Sequence, residues 1–191
     1  MLHHFLDRCN TIYPISPALR HMLETDTEII SLPKKHLVLR GGQRSDHVCM
    51  VLEGLVRSYY LNDGEEITTR LMPEGYLIMS VSSFYTRRAG DEFIETLEPV
   101  TLARLHYDQL QRIYREHMEF NFIARVLTEH YLHLSEQRMY ILRHQTGEEK
   151  YRYFMEMYPS LLQRVPLKYI ATFLGIQQET LSRIRKKLSG G

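Results

Sequence analysis

The chain has 191 residues, 43% of them hydrophobic, which is enough apolar content for one large domain or two small ones. Two cysteines exclude a disulfide framework and a cysteine-based iron–sulfur or structural zinc site. No apolar run reaches the roughly 18–20 residues that cross a bilayer, and the start MLHHFLDRCN lacks a signal core, so no membrane association and a reducing cytoplasm are expected. The formal net charge of +1 hides a segregation. Residues 1–106 carry 11 Lys and Arg against 14 Asp and Glu, residues 107–163 carry 7 against 8, and residues 164–191 carry 6 against 1. A basic module that meets phosphates, attached to a body with another task, has this pattern.

Residues 16–25 (SPALRHMLET) predict a short helix. Strands follow at 28–32, 36–39, 48–52, 55–61, 66–71, 92–97 and 100–105. Their separators are Gly41-Gly42, Glu53-Gly54, Asn62-Asp63-Gly64 and Pro73-Glu74-Gly75, residue types that tolerate turn geometry. Short strands at this spacing predict an antiparallel sandwich or barrel. Cys49 lies in an apolar run and reads as a buried reduced thiol.

From Tyr107 to Arg143 there is neither Gly nor Pro, which predicts a short helix followed by a long one. In the long helix Phe120, Leu127, Leu134 and Ile141 recur at sevens, with Ile123, Ala124 and Tyr131 beside them. Such a repeat makes a seam, Phe120, Ile123, Leu127, Tyr131, Leu134 and Ile141, that can pair with a second copy, or it lays the helix against its own β domain. Gln145-Thr146-Gly147 breaks the helix, 148–158 forms another, and Pro159 closes that one.

Residues 166–188 (PLKYIATFLGIQQETLSRIRKKL) predict two helices joined by a glycine turn. Pro166 suits the first turn, Ile170, Ala171 and Leu174 form an apolar face, and Gly175 ends the helix. Leu181, Ile184 and Leu188 supply the buried stripe of the second helix. Its other side carries Gln178, Glu179 and Arg183, whose side chains suit base edges in a major groove. Thr180, Ser182, Arg185, Lys186 and Lys187 suit phosphates. The competing reading is a solvated helical corner whose cations complement the helix dipole.

A β-rich domain, a seam-bearing helix and a basic helix–turn–helix together resemble the Crp/Fnr family of bacterial transcription regulators over nearly the whole chain. The segment VLRGGQRSDHVCMVLEGLVRSYYLNDGEEITTRLMPEG is similar to the family's effector β-roll, with Gly41, Gly54, Arg57, Gly64, Glu65 and Gly75 at its turn and hairpin positions. The segment GIQQETLSRIRKKL resembles its recognition helix, with Gln178, Glu179 and Arg183 at the base-reading positions. The resemblance implies an α+β chain: a jelly-roll effector domain at 1–106, linker and dimerisation helices at 107–143, and a DNA-binding domain at 144–191. It further implies a cytoplasmic homodimer on double-stranded DNA, with RNA polymerase as a further partner and an effector of unknown identity.

The chain departs from the family twice. Where cyclic-nucleotide-binding members place a Gly-Glu pair and then an Arg, positions counted from Gly75 hold Met79, Ser80 and Gly90, so weak or absent cyclic AMP binding is expected. Met79, Ser80, Arg87 and Arg88 are the candidate effector-pocket residues, and no cofactor is expected. The chain also stops at Ser189-Gly190-Gly191, where the family continues into a winged domain, so an incomplete wing is expected. His130 and His133 share a helical face, but two imidazoles alone do not make a metal site, and none is expected. No nucleophile elbow, phosphate-cradling glycine loop or His-Glu-x-x-His motif occurs, so catalysis is not expected. The alternative from another class is a ligand-binding or protein-interaction module without specific DNA binding.

Overall fold

Alternating turn signals and β-branched runs produce two four-stranded antiparallel sheets in the computed structural model, which describes residues 2–189. Gly190 and Gly191, on which the expectation of an incomplete wing depends, lie outside the described residues. One sheet has the order β1-β8-β3-β6, from β1 (Glu28–Leu32), β8 (Val100–His106), β3 (His47–Glu53) and β6 (Leu77–Ile78). The other has the order β2-β7-β4-β5, from β2 (Leu37–Leu39), β7 (Phe93–Thr96), β4 (Val56–Asn62) and β5 (Glu65–Met72). β4 and β5 meet at Asp63-Gly64, both at positive φ (50° and 84°), as a two-residue hairpin turn needs. Between the sheets lies an aliphatic core that includes Val51, Val56, Met72, Ile94 and Leu102. The antiparallel β-roll followed by helices agrees with the sequence reading.

The helices are α1 (Leu2–Ile12), α2 (Pro17–Asp26), α3 (Val81–Thr86), α4 (Tyr107–Glu116), α5 (Met118–His144), α6 (Gly147–Met157), α7 (Leu167–Leu174) and α8 (Gln178–Ser189). Ser16 caps α2, its Oγ accepting from the Leu19 amide (3.2 Å) while donating to Glu119 Oε1 of α5 (2.7 Å). His106 with Gln109 and Thr146 with Glu149 form reciprocal caps on α4 and α6. A second core joins Leu6 and Cys9 of α1, Leu19 and Leu23 of α2, Phe84 of α3 and Leu110 and Ile113 of α4. The sequence reading did not predict α1, α3 or β6.

Contacts divide the chain into two compact units, Met1–Ser58 with Leu71–Tyr131, and Tyr59–Arg70 with Leu132–Gly191. In the second unit the Arg138 guanidinium lies 4.2 Å from the Phe173 ring and donates to the carbonyls of Thr69 and Phe173. The Thr68 amide donates to Thr172 Oγ1 at 3.2 Å. The outer half of the β4–β5 hairpin is thereby tied to α5 and α7.

Part of the seven-residue repeat of α5 packs within the chain, where Phe120, Ile123 and Ile141 are buried and Leu127, Tyr131 and Leu134 half-buried. Phe120 and Ile123 are buried in the second core of their own unit, and Leu127 packs against it. The Tyr131 hydroxyl accepts from the Leu77 amide at 2.9 Å, Leu134 is half-buried and Ile141 is buried. The exposed apolar side chains of α5 are Met118, Phe122, Leu132, Met139 and Tyr140.

Candidate nucleic-acid interface and effector cavity

α7 begins after Pro166, which is its N-cap (φ −55°, ψ 139°) rather than a residue of its first turn. Gly175 ends it in the left-handed conformation (φ 62°, ψ 40°), and the amides of Gly175 and Ile176 donate to Thr172 and Ala171 carbonyls at 3.1 Å each. α8 turns Leu181 fully inward, with Ile184 and Leu188 half-buried, on the spacing the sequence sets. A Cβ on Gly147, the first residue of α6, would stand 3.2 Å from Ile184 Cδ1, so α6 and α8 pack closely there.

Gln178, Glu179 and Arg183 are exposed on α8, as are Arg185, Lys186 and Lys187, while Thr180 and Ser182 are half-buried. Arg183 Nη2 donates to Thr180 Oγ1 at 3.2 Å, which holds the guanidinium back along its own helix. Lys187 Nζ is 2.7 Å from Glu148 Oε2 of α6, and Arg152 Nη2 is 3.0 Å from the same carboxylate. The bond from Lys187, and then that from Arg152, holds the Glu148 carboxyl below its ordinary pKa. The surface of α8 can therefore donate from Arg, Lys and Gln and accept at Glu179. Spacing alone located this surface but not the acidic clasp on Lys187.

A half-open cavity of about 540 Å³ lies in the β-roll. Of the four effector residues assigned from sequence, Met79 lines it. Ser80 is buried at the start of α3, its amide donating to Ser45 Oγ at 3.4 Å. Arg87 is spent inside the fold: it has a left-handed backbone (φ 59°), its guanidinium lies 3.9 Å from the Tyr107 ring, and it donates to Asp46 and to the carbonyls of Ser45 and Phe84. Arg88 is exposed, and its carbonyl accepts from Ser83 Oγ at 2.6 Å. Ser80 and Arg87 thus bond to Ser45 and Asp46 of the cavity lining, which they do not themselves form.

The polar residues that do line the cavity include Arg44, Asp46, His47 and Arg104. Burial would raise the Asp46 carboxyl, but the bonds and charges of Arg44 and Arg87 outweigh it, so its pKa lies below the ordinary value. Burial, and then the nearby Arg104, lowers the His47 imidazole, favouring its neutral form. The sequence signal for this set was the polar run Gln43-Arg44-Ser45-Asp46-His47 between two strands. Arg57, at a family turn position, is 1% exposed and pairs with Glu95 Oε2 at 2.6 Å, a structural ion pair.

Residues 29–117 match the cyclic nucleotide-binding domain family. No curated protein matches the chain in a sequence comparison. Among solved structures it is similar to FixK2 from Bradyrhizobium japonicum, with 19% identity and a TM-score of 0.74 over 86% of this chain and 85% of that one. The c-di-GMP-responsive global regulator CLP of Xanthomonas campestris is similar at 16% identity and a TM-score of 0.70 over 92% of each chain. A transcriptional regulator of the Crp/Fnr family from Eubacterium rectale is similar at 15% identity and a TM-score of 0.72, over 94% of this chain and 88% of that one.

Proposed function

We propose that this chain is a non-enzymatic, homodimeric, sequence-specific DNA-binding transcription regulator, a reading supported by the match of residues 29–117 to the cyclic nucleotide-binding domain family and by the fold it shares with Crp/Fnr regulators. The observation that carries the proposal is α8: a helix set off by the Gly175 turn, anchored by Leu181, and presenting Gln178, Glu179 and Arg183 to solvent amid the chain's densest positive charge. Gln178, Glu179 and Arg183 read bases; Thr180, Ser182, Arg185, Lys186 and Lys187 engage phosphates. In this reading 1–106 is the sensing part, 107–143 links and dimerises, and 144–191 binds DNA.

A single recognition helix makes few base contacts, each discriminating by about 1–3 kcal/mol, so two copies on a two-fold site supply useful specificity. The outer side of α5 is the dimerisation surface in this proposal, because Phe122, Leu132, Met139 and Tyr140 are apolar, exposed and not used by the chain's own cores. The β-roll senses a signal other than cyclic AMP. Ser80 stands where a carboxylate would take the ribose hydroxyl, and Arg87 is committed to Asp46 and Tyr107.

Selection of bound duplexes from a random pool, with and without cyclic AMP, tests this. A two-fold-related consensus that cyclic AMP does not alter is the expected outcome. Recovery of no consensus, with equal affinity for every duplex, would overturn the proposal.

A further inference from the structure

The β-roll cavity, at about 540 Å³, falls within the roughly 300–1,000 Å³ typical of small-molecule sites. Much of its wall is aliphatic, formed by Val38, Leu39, Ile78 and Ile94. Cys49 joins that wall, and burial pushes its thiol up to about 12, so it remains protonated and packs as a small hydrophobe. That part of the wall offers no hydrogen bonds, and the uncharged polar groups of the lining are Gln43, Ser45 and His47.

The remaining lining has a definite charge. Arg44 and Arg104 are cations and Asp46 is an anion, with His47 neutral, which leaves one net positive charge. Asp46 already accepts from Arg44 Nε at 2.7 Å and from Arg87, so Arg44 is partly neutralised within the protein. Arg104 pairs with Glu28 at 2.8 Å, and that carboxylate is 59% exposed. A solvated pair of this kind contributes little, so a carboxylate arriving in the cavity can replace Glu28 readily.

We infer that the β-roll cavity binds a small monocarboxylic acid with a hydrocarbon body, its carboxylate on the Arg104 guanidinium and its chain along Val38, Leu39, Ile78 and Ile94. The inference rests on reading the β-roll as the sensing part, and names the class of ligand it senses. A dicarboxylate is disfavoured because one net charge meets two, and a neutral alcohol because it offers Arg104 no charge-assisted hydrogen bond.

Calorimetric titration of the full chain with octanoate, octanol, suberate and cyclic AMP tests this. Octanoate is expected to saturate one site per chain, with each other compound at least tenfold weaker. Arg104→Gln should weaken octanoate about tenfold or more, because a charge-assisted bond is lost. Val38→Trp should abolish binding by filling the cavity, while Arg40→Gln, exposed and outside the lining, should leave it unchanged. Circular dichroism of each variant verifies the fold. Absence of octanoate binding, binding indifferent to both Arg104 and Val38, or preferential binding of cyclic AMP would each overturn the inference. Duplex selection on the same samples separates the two readings. A chain that selects a duplex yet ignores octanoate sinks the ligand assignment alone, and octanoate binding without duplex selection supports the ligand assignment and sinks the regulator.

Discussion

Two glycines show how differently one residue type can be required. Gly54 has φ 90°, and a Cβ there would stand 2.3 Å from the Pro99 carbonyl oxygen, so backbone would have to move. Gly175 has φ 62°, but its added Cβ would meet only Leu142 Cδ2, at 3.8 Å. Gly175→Ala should therefore cost about 1–2 kcal/mol, the ordinary left-handed penalty, and Gly54→Ala distinctly more. Urea unfolding midpoints measure both, and equal losses would contradict the steric account. On α8, Arg183→Ala should lower affinity for the preferred duplex by about 1–3 kcal/mol and relax one base position. Lys187 behaves differently because Glu148 already neutralises it. Glu148→Gln should strengthen binding to all duplexes alike, read by fluorescence anisotropy at fixed salt, since it frees a phosphate-seeking ammonium. The turn glycine and the exposed row on α8 were legible because helical spacing and positive φ leave local signatures. The roles of Arg87 and Glu148 were not, because their partners Asp46 and Lys187 lie 41 and 39 positions away.

At the scale of elements, the two sides of α5 make opposite predictions. Ile123 is fully buried in its own unit, so Ile123→Ala should destabilise the chain by about 2–5 kcal/mol without directly altering association between copies. Leu132 is 61% exposed, so Leu132→Glu should change monomer stability by no more than about 0.5 kcal/mol while weakening self-association. Sedimentation against concentration and urea melts separate the two effects. Most strands and the long helices were visible in the sequence because turn residues bracket them or vanish between them. β6 has two residues and α3 six, without a side-chain cap, so neither has enough length for a period. α1 is defined by the burial of Leu6 and Cys9, which only the folded chain supplies. The face of α5 that meets the chain's own core was undecidable from the repeat, since a period carries no partner's name.

For the whole molecule, the unequal spread of charge has a thermodynamic signature. Six cations against one anion in residues 164–191 should make duplex affinity fall steeply with salt, by about 0.9 logarithmic units per phosphate neutralised for each decade of salt concentration. Acid should act at the β-roll as well as at carboxylates such as Glu148. The His47 imidazole is held below its usual value, so the unfolded chain binds that proton more readily; its contribution to stability is complete above about pH 6.5 and is lost as pH falls through the folded value. Asp46 has the same sign, with its contribution complete above about pH 4 and lost on further acidification. His47→Gln should flatten the urea midpoint between pH 7 and 5, and Asp46→Asn the fall below pH 4.

The Thr68–Thr172 bond gives the hairpin a second allegiance. Although Thr68 is encoded among the strands of the roll, its amide hydrogen is held by a hydroxyl on α7. In deuterated water its exchange should keep time with the amides of α7, so that loosening the C-terminal helices deprotects a stretch of β-strand about a hundred residues earlier in the chain.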